Sequence, residues 1–154
     1  MRERERLDEL FSGAGGAPLW QGFIRPVDDP LGSPFGLRRI LNGKPRSPHS
    51  GVDFRSPRGT GIKAPARGRV VLVDDLFFTG RTVVLDHGAG LYSYYAHLEE
   101  PRCRTGETLA AGTVLGTVGS SGRATGPHLH WGVKLRGKRV DPLAVIALLG
   151  GEKP

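Results

Sequence analysis

An antiparallel all-β sandwich or barrel is the fold class that this sequence predicts, on three observations. Apolar residues fall in short alternating segments instead of long amphipathic stretches. Glycine and proline, 24 and 12 of the 154 residues, punctuate the chain with turns and follow no repeat period. The segments between them are rich in valine and tyrosine, which suit a pleated, half-buried surface. A chain of this length supports one domain with one core.

Arg4 to Phe11 is expected to form a short amphipathic helix, with Leu7, Leu10 and Phe11 on one side and Gly13 to Gly16 breaking it. Phe23 to Val27 leads into the domain, and Phe35 to Leu41 reads as a strand running into a loop, Asn42 to Pro48. From His49 the pattern is strand after strand. His49 to Phe54 is extended, Gly68 to Asp75 is valine-rich, and Arg81 to Asp86 alternates up to a turn at His87-Gly88-Ala89-Gly90. Leu91 to His97 carries the tyrosines, and Gly106 and Gly112 mark a hairpin-like stretch. Val114 to Val118 precedes a loop, Gly119 to Pro127. His128 to Leu135 alternates as a strand, and Gly137 turns the chain into Lys138 to Val140. A short C-terminal helix opens at Pro142 and runs to Leu149, with Asp141 as its N-cap.

The net charge of +7 favours polyanionic surroundings: nucleic acid, an anionic membrane surface or an acidic wall polymer. The basic residues are scattered through turns such as Arg67-Gly68-Arg69 and Arg136-Gly137-Lys138-Arg139. No helix-turn-helix pattern or RNA-binding aromatic motif accompanies them, so no nucleic-acid partner is expected. The single cysteine, Cys103, excludes an internal disulfide framework. Its neighbours Arg102 and Arg104 are of the kind that lower a thiol pKa, but a loop cysteine without a role is the expected reading. No stretch approaches transmembrane length. The charged start, Met1 to Arg6, has no apolar core of a secretory signal, which leaves either a cytoplasmic protein or a piece of a longer exported one.

Three of the five histidines lie in two distant half-sites, His49-Ser50-Gly51-Val52-Asp53 and Gly126-Pro127-His128-Leu129-His130-Trp131. On extended strands side chains repeat every two residues, so His128 and His130 share a face, as do His49 and Asp53. Two such strands side by side bring three or four N and O donors around one point. Two imidazoles and a carboxylate with one position open make a catalytic zinc site, whereas four protein ligands make a structural one. A His-x-His pair alone is more often ordinary surface or core histidine; the second half-site is what turns the reading towards a zinc hydrolase. His87, ahead of a glycine in a turn, is expected to make a structural hydrogen bond. Tyr95 and Trp131 suit groove lining and strand packing equally.

Further motifs stand in register with these: Ser33-Pro34-Phe35-Gly36, Asp86-His87-Gly88-Ala89-Gly90, Tyr95-Ala96-His97-Leu98 and Gly106-Glu107-Thr108-Leu109-Ala110-Ala111-Gly112. Together, over Phe23 to Leu143, they resemble the M23 (LytM or lysostaphin type) zinc metallopeptidases. The resemblance implies a LytM-type β domain over 23–150, preceded by a helix and linker over 1–22 that reads like the tail of a longer upstream region. It implies Zn2+ held by His49, Asp53 and His130, with His97 and His128 as catalytic histidines that orient or deprotonate the water and stabilise the tetrahedral intermediate. It implies hydrolysis of peptide bonds in bacterial peptidoglycan stems or cross-links, outside the cytoplasm in the cell envelope, with a regulatory N-terminal domain or envelope partner outside this chain. Phe77-Phe78-Thr79-Gly80 and Arg123-Ala124-Thr125-Gly126 are similar to relatives from bacteria with directly cross-linked walls, which implies D,D-cross-links as the substrate. The alternative is a zinc-binding but catalytically silent wall-binding or activator module. Its mark is a lost ligand or a lost base, and neither is lost here.

Overall fold

The computed structural model describes residues 18–20, 22–33, 40–41, 44–45, 51–122 and 126–149. The expected N-terminal helix, most of the Phe35–Leu41 strand, Asn42 and His49 lie outside the described residues. The first strands are β1 (Leu31–Ser33), β2 (Ile40–Leu41), β3 (Lys44–Pro45) and β4 (Val52–Phe54). Then come β5 (Gly61–Lys63), β6 (Gly68–Leu76), β7 (Gly80–Asp86) and β8 (Leu91–Pro101). The rest are β9 (Thr108–Leu109), β10 (Val114–Val118), β11 (Leu129–Leu135), β12 (Lys138–Val140) and the helix α1 (Pro142–Leu149).

The antiparallel expectation holds: one sheet runs in the order β1-β4-β11-β8-β7-β6-β9, and every pairing in it is antiparallel. β10 lies between β5 and the far half of β8, and β12 extends the sheet beside β11. Alternation sorts the two faces. Val52 and Phe54, Leu129, Trp131 and Val133, Leu91 and Tyr95, and Val83 and Leu85 all enter one core with Phe23, Ile62, Leu115 and Val145. Each fully buried apolar side chain of this kind contributes about 1.5–3 kcal/mol. The residues between them, Asp53, His130 and Tyr94, therefore belong to the opposite face.

Trp131 sits in that core, stacked on Phe23 at 6.1 Å and tilted against Phe54 at 6.0 Å, and Tyr95 is fully buried beside it. Packing, not groove lining, is their role. The C-terminal helix forms as expected, with the Leu143 N–H donating to Asp141 Oδ1 at 3.0 Å. Several elements differ from the sequence reading, among them β1, which answers to no expected strand, and β3, which falls inside the expected Asn42–Pro48 loop. β5 is a strand of only three residues, too short to announce itself by alternation. β8 runs on to Pro101 because β10 pairs with its second half. His128 stands just ahead of β11, in an isolated bridge to Gly119.

Candidate metal centre and active site

The neighbours β4, β11 and β8 put His130 directly opposite Asp53 on one side and Ala96 on the other. Directly opposed residues point to the same face, so the carboxylate and the imidazole meet. His130 Nδ1 lies 2.7 Å from Asp53 Oδ1, with both side chains largely but not wholly buried. His128 Nε2 lies 4.0 Å from the same carboxylate oxygen. Its other nitrogen, Nδ1, is 2.9 Å from the Gly126 carbonyl. A carbonyl can only accept, so Nδ1 of His128 carries a proton and Nε2 is the atom turned towards Asp53.

His97 arrives by a different device. Between Arg81 and Val83 on β7, the partner strand β8 advances from Leu98 to Tyr95, so β8 carries an extra residue. His97 stands in this bulge with φ of 63°, an uncommon value for a residue with a side chain. The ring consequently reaches the face that holds the other histidines. Its centroid is 5.0 Å from that of His128 and 6.3 Å from that of His130. Nδ1 donates to the Ser121 carbonyl at 2.7 Å. Burial is the main cause that pushes the His97 pKa below the ordinary imidazole value, with the nearby His128 and His130 adding to it. The Ser121 carbonyl and the Asp53 carboxylate oppose the shift. A neutral imidazole at neutral pH is the form that can take a proton.

Tyr94 closes one side of the site, with its ring centroid 5.9 Å from that of His130. It can lie there because β11 carries Gly132 opposite Tyr94, and a Cβ at that glycine would fall on the tyrosine ring. The roles of Ser121, Gly126 and Tyr94 escape the sequence reading. Two of them act through backbone carbonyls, which any residue type supplies. A glycine inside a strand is the signal that points to Tyr94, because it marks a close approach.

The other singled-out residues lie elsewhere. His87 is fully buried in the core, 2.9 Å from the Arg67 carbonyl and 2.7 Å from Ser93 Oγ, which is the structural role expected of it. Cys103 is partly buried, and burial with the nearby Glu107 charge pushes its thiol up to about 11, so the flanking arginines do not activate it.

Among the described residues, no three His, Cys, Asp or Glu side chains form a group able to hold a metal ion. Asp53 and His130 supply two converging donors, and the third expected donor, His49, lies outside the described residues. An imidazole and a carboxylate are donors that zinc accepts, and both side chains keep some exposure, so the residues present fit part of a zinc site.

The model of peptidase family M23 matches residues 47–142. DD-carboxypeptidase/endopeptidase Mpg of Neisseria meningitidis is 36% identical over 115 residues, which cover 75% of this chain and 26% of that protein. The murein hydrolase activator EnvC of Escherichia coli is 35% identical over 140 residues, covering 91% of this chain and 32% of that protein. Thus the chain spans about a quarter to a third of these relatives' length. The crystal structure of a peptidase M23 from Pseudomonas aeruginosa is 44% identical, with a TM-score of 0.82 over 94% of this chain and 59% of that one. A zinc-containing peptidase from Vibrio cholerae is 26% identical, with a TM-score of 0.72 over 90% of this chain and 41% of that one. The fold is that of the LytM and lysostaphin type peptidase domains, and the chain belongs to peptidase family M23.

Proposed function

We propose that this chain is a zinc-dependent endopeptidase that hydrolyses peptide bonds of bacterial peptidoglycan, at the D,D-cross-links between stem peptides, in the cell envelope. The observation that carries the reading is the convergence of Asp53, His130, His128 and His97 on one face, with His130 2.7 Å and His128 4.0 Å from the Asp53 carboxylate and the His97 ring 5.0 Å from that of His128. Residues 23–150 are the catalytic domain in this reading, and 1–22 a helix and linker. Asp53 and His130, with His49, would hold the ion. When bound, zinc supplies a Lewis acid that activates water and polarises the scissile carbonyl.

The remaining chemistry falls to the chain's own histidines. His97, neutral and anchored through Nδ1, offers Nε2 as a proton acceptor. His128, with Nδ1 committed to the Gly126 carbonyl, offers Nε2. When protonated it donates to a developing oxyanion or to the leaving amine. The net charge of +7 suits an anionic wall polymer.

The likeness to an activator, EnvC, supports a second reading in which this domain binds the wall and cleaves nothing. The intact set of His49, Asp53, His97, His128 and His130 favours the enzyme. The deciding experiment incubates purified protein with isolated peptidoglycan, before and after chelation and again after added zinc, and identifies products by mass spectrometry. New peptide ends that vanish with chelator and return with zinc are expected, at direct cross-links. Cleavage of a pentaglycine bridge alone would refute the D,D assignment. Bound zinc without any product would establish the silent module.

A further inference from the structure

The loop Gly119–Gly122 is built to hold one imidazole. We propose that Ser121 is a positioning residue for His97, fixing its tautomer and its direction. The proposal rests on the reading of His97 as a proton acceptor.

His97 Nδ1 lies 2.7 Å from the Ser121 carbonyl, which has no proton to give. In the neutral ring the proton is therefore on Nδ1, and the lone pair is on Nε2. A base that presented the other nitrogen, or rotated away, would be useless at the same pKa. Backbone geometry alone does not fix the ring, because His97 is only partly buried and sits in a bulge, where its N–H is tied to the Thr79 carbonyl at 2.7 Å. The contact that selects one orientation is the one to Ser121.

Ser121 is itself clamped from both neighbouring strands. Its Oγ donates to the Leu98 carbonyl at 2.7 Å, on the residue that follows His97. The same oxygen accepts the Arg81 N–H at 3.0 Å, from β7. The hydroxyl thus spans the two strands that form the bulge. Gly80 and Gly122 complete the clamp. Both have positive φ, 65° and 74°, and a Cβ on either would drive into the other's backbone segment. Glycine at both positions lets the loop lie backbone to backbone on the hairpin turn that contacts His97. Beside it, Arg58 ties Ser120 Oγ at 3.1 Å to Glu99, which the same guanidinium also bonds. The serine's carbonyl would be present in any residue. What serine adds is the hydroxyl that keeps this carbonyl in place.

The test uses the zinc-loaded full chain and two variants, Ser121→Ala and Ser121→Thr. Ring 15N shifts of His97 are read by NMR, and kcat and KM are measured on a cross-linked stem-peptide substrate. The unmodified chain is expected to show the Nδ1–H tautomer. An Nε2–H signal there overturns the proposal without any variant, whether or not Ser121→Ala folds. Ser121→Ala is expected to give mixed tautomer signals and a roughly tenfold fall in kcat, with KM and zinc content unchanged. Ser121→Thr, which keeps the hydroxyl, should restore both readouts. An unchanged His97 spectrum in Ser121→Ala, or unchanged kcat, refutes the positioning role. Failure of the underlying reading looks different: His97→Ala would keep its turnover.

Discussion

Asp53, His128, His130 and His97 are four titratable groups in one small space, and their contacts differ in kind: Asp53 meets two imidazoles, while His128 and His97 each bond a backbone carbonyl. Those partners separate the roles. Asp53 and His130 face each other at 2.7 Å and are the two described donors that would hold the ion. His128 and His97 each spend Nδ1 on a backbone carbonyl, which leaves Nε2 as the nitrogen for chemistry, that of His128 turned towards Asp53. His130→Ala and Asp53→Ala are accordingly expected to lose both zinc and activity. His97→Ala and His128→Ala are expected to retain zinc and lose turnover by about 10²–10⁴-fold, the usual contribution of a positioned acid or base. Metal analysis of the purified variants beside their kcat values checks this. Release of zinc by His128→Ala would make His128 a ligand and close the position that catalysis needs.

The strands do more than carry these side chains, because register decides which of them meet. Tyr94 on β8 faces Gly132 on β11, one step along the face from His130. Gly132→Ala should push the ring off this place and cost about 1–3 kcal/mol, as overpacking does. The same change in a Tyr94→Ala background should cost much less, and urea denaturation of the four proteins measures that coupling. Equal costs in both backgrounds would mean that the ring does not fill this space. Much of this level was legible in the sequence. β6, β11 and α1 announce themselves through alternation, a turn glycine and a cap, because their faces are unequally buried, whereas β7 and β8 are buried on both faces and show as apolar and aromatic runs between turn glycines. The histidine pair and Asp53 were legible because the period of a strand fixes their shared face. The bulge at His97 was not. The run Tyr94-Tyr95-Ala96-His97-Leu98 keeps the composition of a regular strand, and its extra residue shows only against β7. β5 was hidden for a related reason: its pairing with β10 is non-local and its length gives no period.

The larger core lies on the far side of the sheet from the site, while a smaller cluster of Leu72, Leu76, Val84 and Tyr92 packs against Tyr94 on the near side. A buried proton balance runs through the larger one. His87 is fully buried, and burial pushes its pKa down to about 4 against the opposing pull of the Arg67 carbonyl and the Asp86 carboxylate. The Arg67 carbonyl takes the proton on Nδ1, so Nε2 accepts from Ser93, whose oxygen is then free to accept from Tyr95 at 2.7 Å. This chain of donors is complete only while His87 is neutral. Above pH 6.5 the ring is neutral both in the fold and in the unfolded chain, and its contribution to stability is fully present. As pH falls from 6.5 towards 4, the unfolded chain takes up a proton that the fold refuses, and stability is lost. The full loss is roughly 3 kcal/mol, and it levels off below the folded pKa. His87→Gln removes the titration while retaining a donor and an acceptor. The variant should be less stable than the parent at neutral pH, but the gap between the two unfolding free energies should narrow steadily from pH 6.5 to pH 4. Carboxylates that titrate in the same range act on both proteins alike and cancel in this difference. A gap that stays constant over that range would show that His87 takes its proton as readily in the fold as in the unfolded chain.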